Sequence, residues 1–379
     1  MAERKEISLL YQYNDNWIGG TYYIINIIKA LNVLDDIEKP YLIIFHNSEE
    51  SIQLIKSLNY PYLEFQYFDY KLNILQRIIK KLGKIIIGKD LVKNKIGSGR
   101  IKNLYPINSS IDISNIDNFF FWIPDFQEWY LPHLFSKKEI QFRKTSQKYL
   151  VDKGYPIVFS SNNALEDFNK FYPNNKNRKE VLRFVSMVDD NYSNIEISQL
   201  KKKYSIEDDY FIVPNQFWKH KNHKVVIEAA KVLKERGDKF LVVFTGKEYD
   251  YRNPDYTLSL RREIKESGLD DNFCFLGFID RAEQLQLMKN SIAIIQPSLF
   301  EGWSTVVEDT KALNHVIILS DLLLHREQIK DNCIFFNPLN GIELADKLLF
   351  AMNNDFRITN FDTKKDQLNF AKKVISIFN

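Results

Sequence analysis

Two cysteines in 379 residues are too few for a disulfide framework. Cys274 and Cys333 each fall in a short apolar run, Phe273–Phe275 and Cys333–Phe336, and read as reduced, buried thiols of a cytoplasmic protein. Nowhere are there about 18 consecutive apolar residues, the length a membrane-spanning helix needs. The opening Met1-Ala2-Glu3-Arg4-Lys5-Glu6 lacks the apolar core of a signal peptide. Basic residues exceed acidic ones by only 52 − 49 = 3, which gives no general reason to expect nucleic acid as a partner. Also missing is the Gly-x-Gly-x-x-Gly fingerprint, which argues against a nicotinamide-dependent dehydrogenase. No Asp-x-Asp pair sits in a loop where it could hold a divalent metal, so neither metal nor cofactor is expected.

What is present is an alternation of short apolar runs with helix-length amphipathic stretches, the mark of parallel α/β construction. In the first half the expected strands are Ile7–Tyr11, Tyr41–Phe45, Phe119–Ile123 and Pro156–Ser160, with a helix from about Tyr22 to Leu34. In the second half they are Tyr210–Pro214, Phe240–Gly246, Phe273–Phe278, Ser291–Gln296, His315–Ser320 and Cys333–Phe336. Helices are expected between them at Lys224–Arg236, Thr257–Ser267, Arg281–Asn290 and Thr305–Leu313. The polar stretch Ser186–Asn194 lacks an apolar period and marks the hinge. This divides the chain into a domain over 1–190, a second over 191–360, and a last helix in 361–379 that returns to the first domain.

One segment breaks the rhythm. Between Lys71 and Lys102 stand ten basic residues and a single acid, Asp90, interleaved with Ile74, Leu75, Ile78, Ile79, Leu82 and Ile85–Ile87. Such a segment can lie in an anionic membrane interface, each cation adding roughly 1 kcal/mol. The alternative is a solvated helix whose apolar stripe is core.

The most informative stretch is Pro297-Ser298-Leu299-Phe300-Glu301-Gly302-Trp303-Ser304-Thr305-Val306-Val307-Glu308-Asp309. It follows a buried strand and opens a helix, and ligands of open α/β sheets bind beyond such strand ends. Ser304 or Thr305 supplies the N-cap, and the first helical N–H groups suit a diphosphate. Glu301 can accept hydrogen bonds from sugar hydroxyls, and Asp309 can grip a diol such as ribose. The stretch resembles glycosyltransferase family 4, the retaining GT-B enzymes of bacterial surface-polysaccharide synthesis. Their hallmark is Glu, seven residues, then a second Glu, in a Pro-Ser-x-x-Glu-Gly-Phe-Gly setting, so that Asp309 is one methylene shorter than the family's acid. Pro297, Ser298, Glu301 and Gly302 match, with Trp303 for the aromatic. Asp309 stands at the second acid position, Glu308 being the competitor, and Asn314 occupies the place of the family's following Gly.

Val213-Pro214-Asn215-Gln216-Phe217-Trp218-Lys219-His220-Lys221 resembles the family's second signature, in which an Arg and a Lys neutralise the leaving diphosphate. Lys221 fits the Lys, while Gln216 stands where the Arg belongs. Lys219 either compensates or is a solvated loop charge. Gly19-Gly20, after Trp17-Ile18, let backbone approach the donor phosphates or form a plain tight turn. Gly246 and Phe278 end strands that the resemblance puts beside the phosphates and the base. Ser320-Asp321 through His325-Arg326-Glu327-Gln328 reads as scaffolding. On the acceptor side, Ile123-Pro124-Asp125-Phe126-Gln127-Glu128 resembles a bacterial Ile-Pro-Asp-Phe-Gln-His loop, with Glu128 in the His place. Asp125 and His133 are candidates for positioning the acceptor hydroxyl.

The resemblance implies two Rossmann-like doubly wound domains facing each other across a cleft, with the C-terminal helix crossing back. It implies a metal-independent hexosyltransferase using a UDP- or GDP-sugar and a glycan or lipid-linked glycan acceptor, as in lipopolysaccharide synthesis. Placement in the cytoplasm, peripheral on the inner membrane face, follows. Two rivals stand beside it. One is a nucleotide-sugar 2-epimerase. The other is a non-catalytic nucleotide-sugar-binding subunit, for which Gln216, Asp309 and Glu128 argue.

Overall fold

The computed structural model describes residues 4–12, 18–68, 74–86, 92, 96, 99–107 and 113–378. Trp17, Lys71, Lys89, Asp90, Lys93 and Lys95 lie outside them. The chain forms two compact units. The first holds Met1–Pro124, Gln141–Val185 and Lys364–Asn379, and the second holds Asp125–Ile140 and Ser186–Thr363.

The first unit is built on seven strands: β1 (Glu6–Tyr11), β2 (Tyr41–His46), β3 (Leu63–Tyr67), β4 (Ile101–Ile107), β5 (Ile116–Ile123), β6 (Ile157–Phe159) and β7 (Lys179–Val181). They run in the order β3-β2-β1-β4-β5-β6-β7, and every pair is parallel. The central strands are buried on both faces, which is why they read as near-continuous apolar runs. β3 and β7 escape that signature because they are edge strands with half-exposed polar positions, Leu-Glu-Phe-Gln-Tyr and Lys-Glu-Val. β4, Ile-Lys-Asn-Leu-Tyr-Pro-Ile, is interrupted by polar residues and a proline.

The last helix, Thr363–Ile377, runs into this unit. Its final carbonyls are met by cations: Arg178 donates to the Ile377 carbonyl at 2.9 Å and Lys5 to that of Ile375 at 2.8 Å. These contacts satisfy orphan acceptors and complement the negative helix end. Lys373 pairs with Glu180 at 2.8 Å, and Phe378 packs its ring on Phe120 and Tyr105.

The basic segment does not form one element. A helix covers Ile74–Ile86, and β4 begins at Ile101. Ile74 and Leu75 are 78% and 66% exposed, and Ile78, Ile79 and Leu82 on the same face are exposed too. At these positions the apolar stripe is not core.

The second unit carries β8 (Phe211–Pro214), β9 (Val242–Thr245), β10 (Phe273–Phe275), β11 (Ile294–Gln296), β12 (Ile317–Ser320) and β13 (Cys333–Phe336), each within an expected apolar run. Their order is β10-β9-β8-β11-β12-β13, again with every pair parallel. Neighbouring residues point to opposite faces. Phe211, Val213, Val242 and Phe244 enter one apolar layer, and Ile212, Val243, Ile294 and Ile317 the other. Both sheets are α/β and doubly wound, as the sequence implied. Among the described residues, no helix is long and apolar enough to cross a membrane.

Candidate functional site

In the second sheet, β8 and β11 are neighbours at the point where the strand order reverses, and the crevice beyond their carboxyl ends is the favoured ligand position of such sheets. Asn215 follows β8 and Gln296 ends β11. Both are buried, and the Asn215 amide donates to Gln296 Oε1 at 2.6 Å. Gln296 Nε2 then donates to Glu301 Oε1 at 2.9 Å and to Ser304 Oγ at 3.0 Å. Lys221 Nζ lies 2.6 Å from the same Glu301 oxygen.

Local chain geometry explains how Lys221 and Glu301, far apart in sequence, meet. Lys221 ends the 3₁₀ turn Lys219–Lys221, and Asn222 closes that turn in the left-handed region at φ 56°, which Asn tolerates. The Asn222 amide donates to the carbonyls of Pro297 and Pro338, at 3.1 and 2.8 Å. The Leu299 N–H donates to the His220 carbonyl at 2.8 Å. The loops after β8 and β11 are thereby stitched together.

The helix Thr305–Leu313 starts at the N-cap Ser304, whose hydroxyl accepts from the Val307 N–H at 3.4 Å. Gln328 holds this cap from behind: its Oε1 accepts from the Ser304 N–H at 3.1 Å and its Nε2 donates to the Ser304 carbonyl at 2.8 Å. Gly302, Trp303 and Thr305, all half-buried, flank this cap.

The two adjacent acids take different partners. Glu308 is buried and receives hydrogen bonds from Gln328 at 2.9 Å and Lys311 at 3.1 Å. Asp309 is also buried, and its Oδ1 accepts from Ser186 Oγ and from Arg281 Nη2, both at 2.5 Å.

Gly246, one residue beyond β9, has φ 136°, and a Cβ built there would lie 2.3 Å from the Asn215 carbonyl oxygen. Its N–H donates to the Gly277 carbonyl at 2.8 Å, next to the largely exposed Phe278. Gln216 accepts from Trp218 Nε1 at 3.1 Å. Lys219 is exposed, and its backbone N–H donates to Asp250 at 3.1 Å. Burial disfavours the charged form of the nearby histidines. Burial pushes His223, stacked on Phe217 at 4.3 Å, down to about 3. Burial, together with the charges of Lys221 and Arg252, holds His220 well below its ordinary value. His325, also lowered by burial, hydrogen-bonds the Ser320 carbonyl through Nδ1 at 2.7 Å. The cations of this loop cluster are lysine and arginine alone.

Asp125–Ile140 belongs to this unit although it follows β5 in the chain. Asp125 accepts from the Gln127 N–H at 3.0 Å and starts the short helix Gln127–Tyr130, in which Glu128 is buried. Tyr130 places its ring 5.5 Å from that of Phe300, the neighbour of Glu301. Arg252 lies over Phe135 at 4.6 Å and Trp218 at 4.3 Å, and Tyr251 donates to Glu139 at 3.2 Å. Each such cation–π contact contributes about 0.5–2 kcal/mol. His133 is exposed on this segment. Gly19 and Gly20 lie in the first unit, inside the first turn of the helix Ile18–Asn32. An apolar period that starts near Tyr22 implies a loop position for them instead. That pattern missed the helix start because two glycines carry no apolar period.

Sequence reasoning also missed Asn215, Gln296, Gln328, Arg281, Ser186 and Arg252. Gln296 left one signal, a glutamine at the end of the apolar run Ile294-Ile295.

Two sheets of seven and six parallel strands define the GT-B architecture. Residues 196–373 match the family described as Glycosyl transferases group 1. The chain is 23% identical over 193 residues to the O-antigen chain mannosyltransferase RfbU of Salmonella typhimurium, covering 48% of this chain and 51% of that protein. The chain thus spans about half the length of this relative. In fold it is similar to a glycosyltransferase from Rickettsia africae, at 18% identity and a TM-score of 0.62 over 99% of this chain and 94% of the other. It is likewise similar to Anabaena Alr3699/HepE, solved in complex with UDP and glucose, at 14% identity and a TM-score of 0.63 over 98% and 94%.

Proposed function

We propose that this protein is a retaining glycosyltransferase moving a hexose from a UDP- or GDP-sugar to a glycan or lipid-linked glycan acceptor in cell-surface polysaccharide synthesis. The observation that carries the reading is the Lys221–Glu301 pair at 2.6 Å beside the N-terminus of the helix Thr305–Leu313, beyond the ends of β8 and β11. In this reading Lys221 and the helix N–H groups near Gly302, Trp303, Ser304 and Thr305 stabilise the leaving diphosphate without a divalent ion. Glu301 binds hydroxyls of the transferred sugar, and Asp309 binds the ribose. The backbone at Gly246 and Phe278 borders the phosphates and base. The anomeric carbon–oxygen bond to phosphate breaks as the acceptor oxygen bonds on the same face. The acceptor proton passes to the departing phosphate oxygen, with Asp125 and His133 positioning the hydroxyl.

The exposed apolar face of the helix Ile74–Ile86, with Arg77 and Lys81 and no acid on it, supports a place at the cytoplasmic face of an anionic membrane. A non-catalytic, nucleotide-sugar-binding role is the second reading. It is favoured by Gln216, which brings an amide bonded to Trp218 where a second cation is expected.

Thermal unfolding with UDP, GDP, ADP and dTDP, beside Lys221→Ala, tests the donor site. A ligand at a hundred times its Kd adds about 2.7 kcal/mol. Stabilisation by one diphosphate, reduced in the variant, supports the reading, and sugar transfer from the matching donor separates enzyme from subunit. No diphosphate binding at all would sink it.

A further inference from the structure

Aromatic rings gather on the loops after β8, β9 and β11 and on the segment Asp125–Ile140, all within the second unit. Tyr130 closes the short helix Gln127–Tyr130, and its ring lies 5.5 Å from that of Phe300 at an angle of 30°. Glu301 follows Phe300 directly. Trp218 stands just before the turn Lys219–Lys221, and the bond from the Leu299 N–H to the His220 carbonyl ties that turn to the loop of Phe300. Tyr251 meets Trp218 edge-on at 5.6 Å and donates its hydroxyl to Glu139 Oε1. Tyr130 and Tyr251 remain 46% and 48% exposed. Exposed rings scattered singly need no explanation, but several grouped beside a site mark a binding surface.

These rings are held before any ligand arrives. Arg252 lies over Trp218 at 4.3 Å and Phe135 at 4.6 Å, and donates to Gln127 Oε1 at 3.4 Å. Glu139 is fixed by Ser136: its Oε2 accepts from the Ser136 N–H at 2.9 Å and hydroxyl at 2.7 Å, while Ser136 Oγ accepts from the Glu139 N–H at 3.2 Å. This is a reciprocal cap on the helix Lys137–Lys153. Side chains ordered in advance lose little freedom on binding. A pyranose has the chemistry that such a surface recognises. Its C–H face packs on the negative face of an aromatic ring, and its hydroxyls meet polar groups at the edge. The hydroxyls of Tyr130 and Tyr251, the Glu139 carboxylate and the exposed His133 are such groups. An alkyl chain laid there would cover them without hydrogen bonds, at a cost.

Resting on the glycosyltransferase reading above, we infer that Tyr130 with Phe300, and Tyr251 with Trp218, form stacking subsites for an acceptor of two or more sugar residues. The second unit then binds acceptor as well as donor, through the segment 125–140. Such an acceptor is the product of an earlier sugar transfer, so this protein extends a glycan already begun rather than placing the first sugar on a bare lipid.

Saturation-transfer NMR on the full chain, with UDP or GDP present, tests this. The probes are the methyl glycosides of glucose, galactose and mannose, beside maltose, lactose and mannobiose. In at least one series the disaccharide should bind about 5-fold or more tightly than the single sugar, the scale of one aromatic contact. Tyr130→Ala should cut that gain to about 2-fold or less. Diphosphate binding should stay as in the wild type, and Tyr130→Phe should keep the gain. Tyr130→Leu preserves an apolar contact with Phe300 but removes the aromatic face, so it carries the test where alanine does not fold. No gain from a second sugar in any series, or a gain unmoved by loss of the Tyr130 ring, overturns the inference and leaves the donor site standing. Octyl glucoside improving on methyl glucoside by more than any second sugar does assigns the rings to a lipid anchor, and equally overturns it. Failure of every diphosphate to bind overturns the glycosyltransferase reading itself.

Discussion

Glu301 Oε1 takes the ammonium of Lys221 at 2.6 Å and the amide of Gln296 at 2.9 Å, so the acid is aimed by one residue from the loop after β8 and one from the end of β11. Lys221→Ala leaves a largely buried carboxylate with only the amide, and a stability loss of about 1–3 kcal/mol is expected. Glu301→Gln keeps a hydrogen-bonding group of the same size and should cost less than about 1 kcal/mol. If the pair acts as a unit, the double variant will be less damaged than the sum of the singles in a urea-denaturation cycle. Strict additivity would show that the contact carries no coupling.

Gly246 is the most constrained glycine of the second unit. Gly246→Ala places a Cβ 2.3 Å from the backbone oxygen of Asn215 at φ 136°, so the buried Asn215–Gln296 bridge must move. A loss of about 3 kcal/mol or more is expected. At Gly277, φ 66°, the nearest atom would be a glutamate oxygen 3.9 Å away, and alanine should cost only about 1 kcal/mol. Equal denaturation midpoints for the two variants would contradict this steric argument.

Acid should loosen the second unit before its carboxylates titrate. Burial lowers His223 to about 3 and His315 to about 4, against an ordinary 6.5. Depressed histidines favour the folded state fully above pH 6.5, and that stability is lost as pH falls toward their folded values. Between pH 6.5 and 5 each should remove about 1.4 kcal/mol per pH unit. His223→Phe keeps a ring on Phe217 and should flatten the slope by one proton in pH-dependent urea midpoints. An unchanged slope would rule His223 out as a source.

The apolar residues of the helix Ile74–Ile86 should bind vesicles of phosphatidylglycerol at low salt and not vesicles of phosphatidylcholine. Replacing Ile74, Leu75 and Ile78 by serine together should weaken sedimentation with anionic vesicles at least 10-fold, since burying each apolar side chain is worth about 1.5 kcal/mol or more. Binding indifferent to both salt and the triple replacement would remove the membrane assignment.

The second unit was legible because each of its six strands is a short apolar run, the four inner ones buried on both faces. In the first unit the same logic failed at β3 and β7, where edge position leaves Glu64, Gln66 and Lys179 in water, and at β4, where Lys102 and Asn103 break the run. At the site, spacing marked Glu301 and Lys221, and the fold brings them together. The buried glutamines beneath them were invisible. What gives Gln296 and Gln328 their hydrogen bonds is the approach of strand ends and loops remote in sequence, and no local pattern records it. The attachment of Asp125–Ile140 to the second unit was hidden for a related reason. Its partners Tyr251, Arg252 and Phe300 come more than 100 residues later.

That attachment bears on how the protein can be taken apart. Its chain passes between the two units four times, after Pro124, Ile140, Val185 and Thr363. No single proteolytic nick can release either unit whole. A fragment of residues 186–363 would leave behind Tyr130 and Phe135, stripping aromatic cover from Phe300 and Arg252. Recombination that exchanges such halves between relatives must therefore carry residues 125–140 with the second unit, or supply another segment that seats Arg252 equally well.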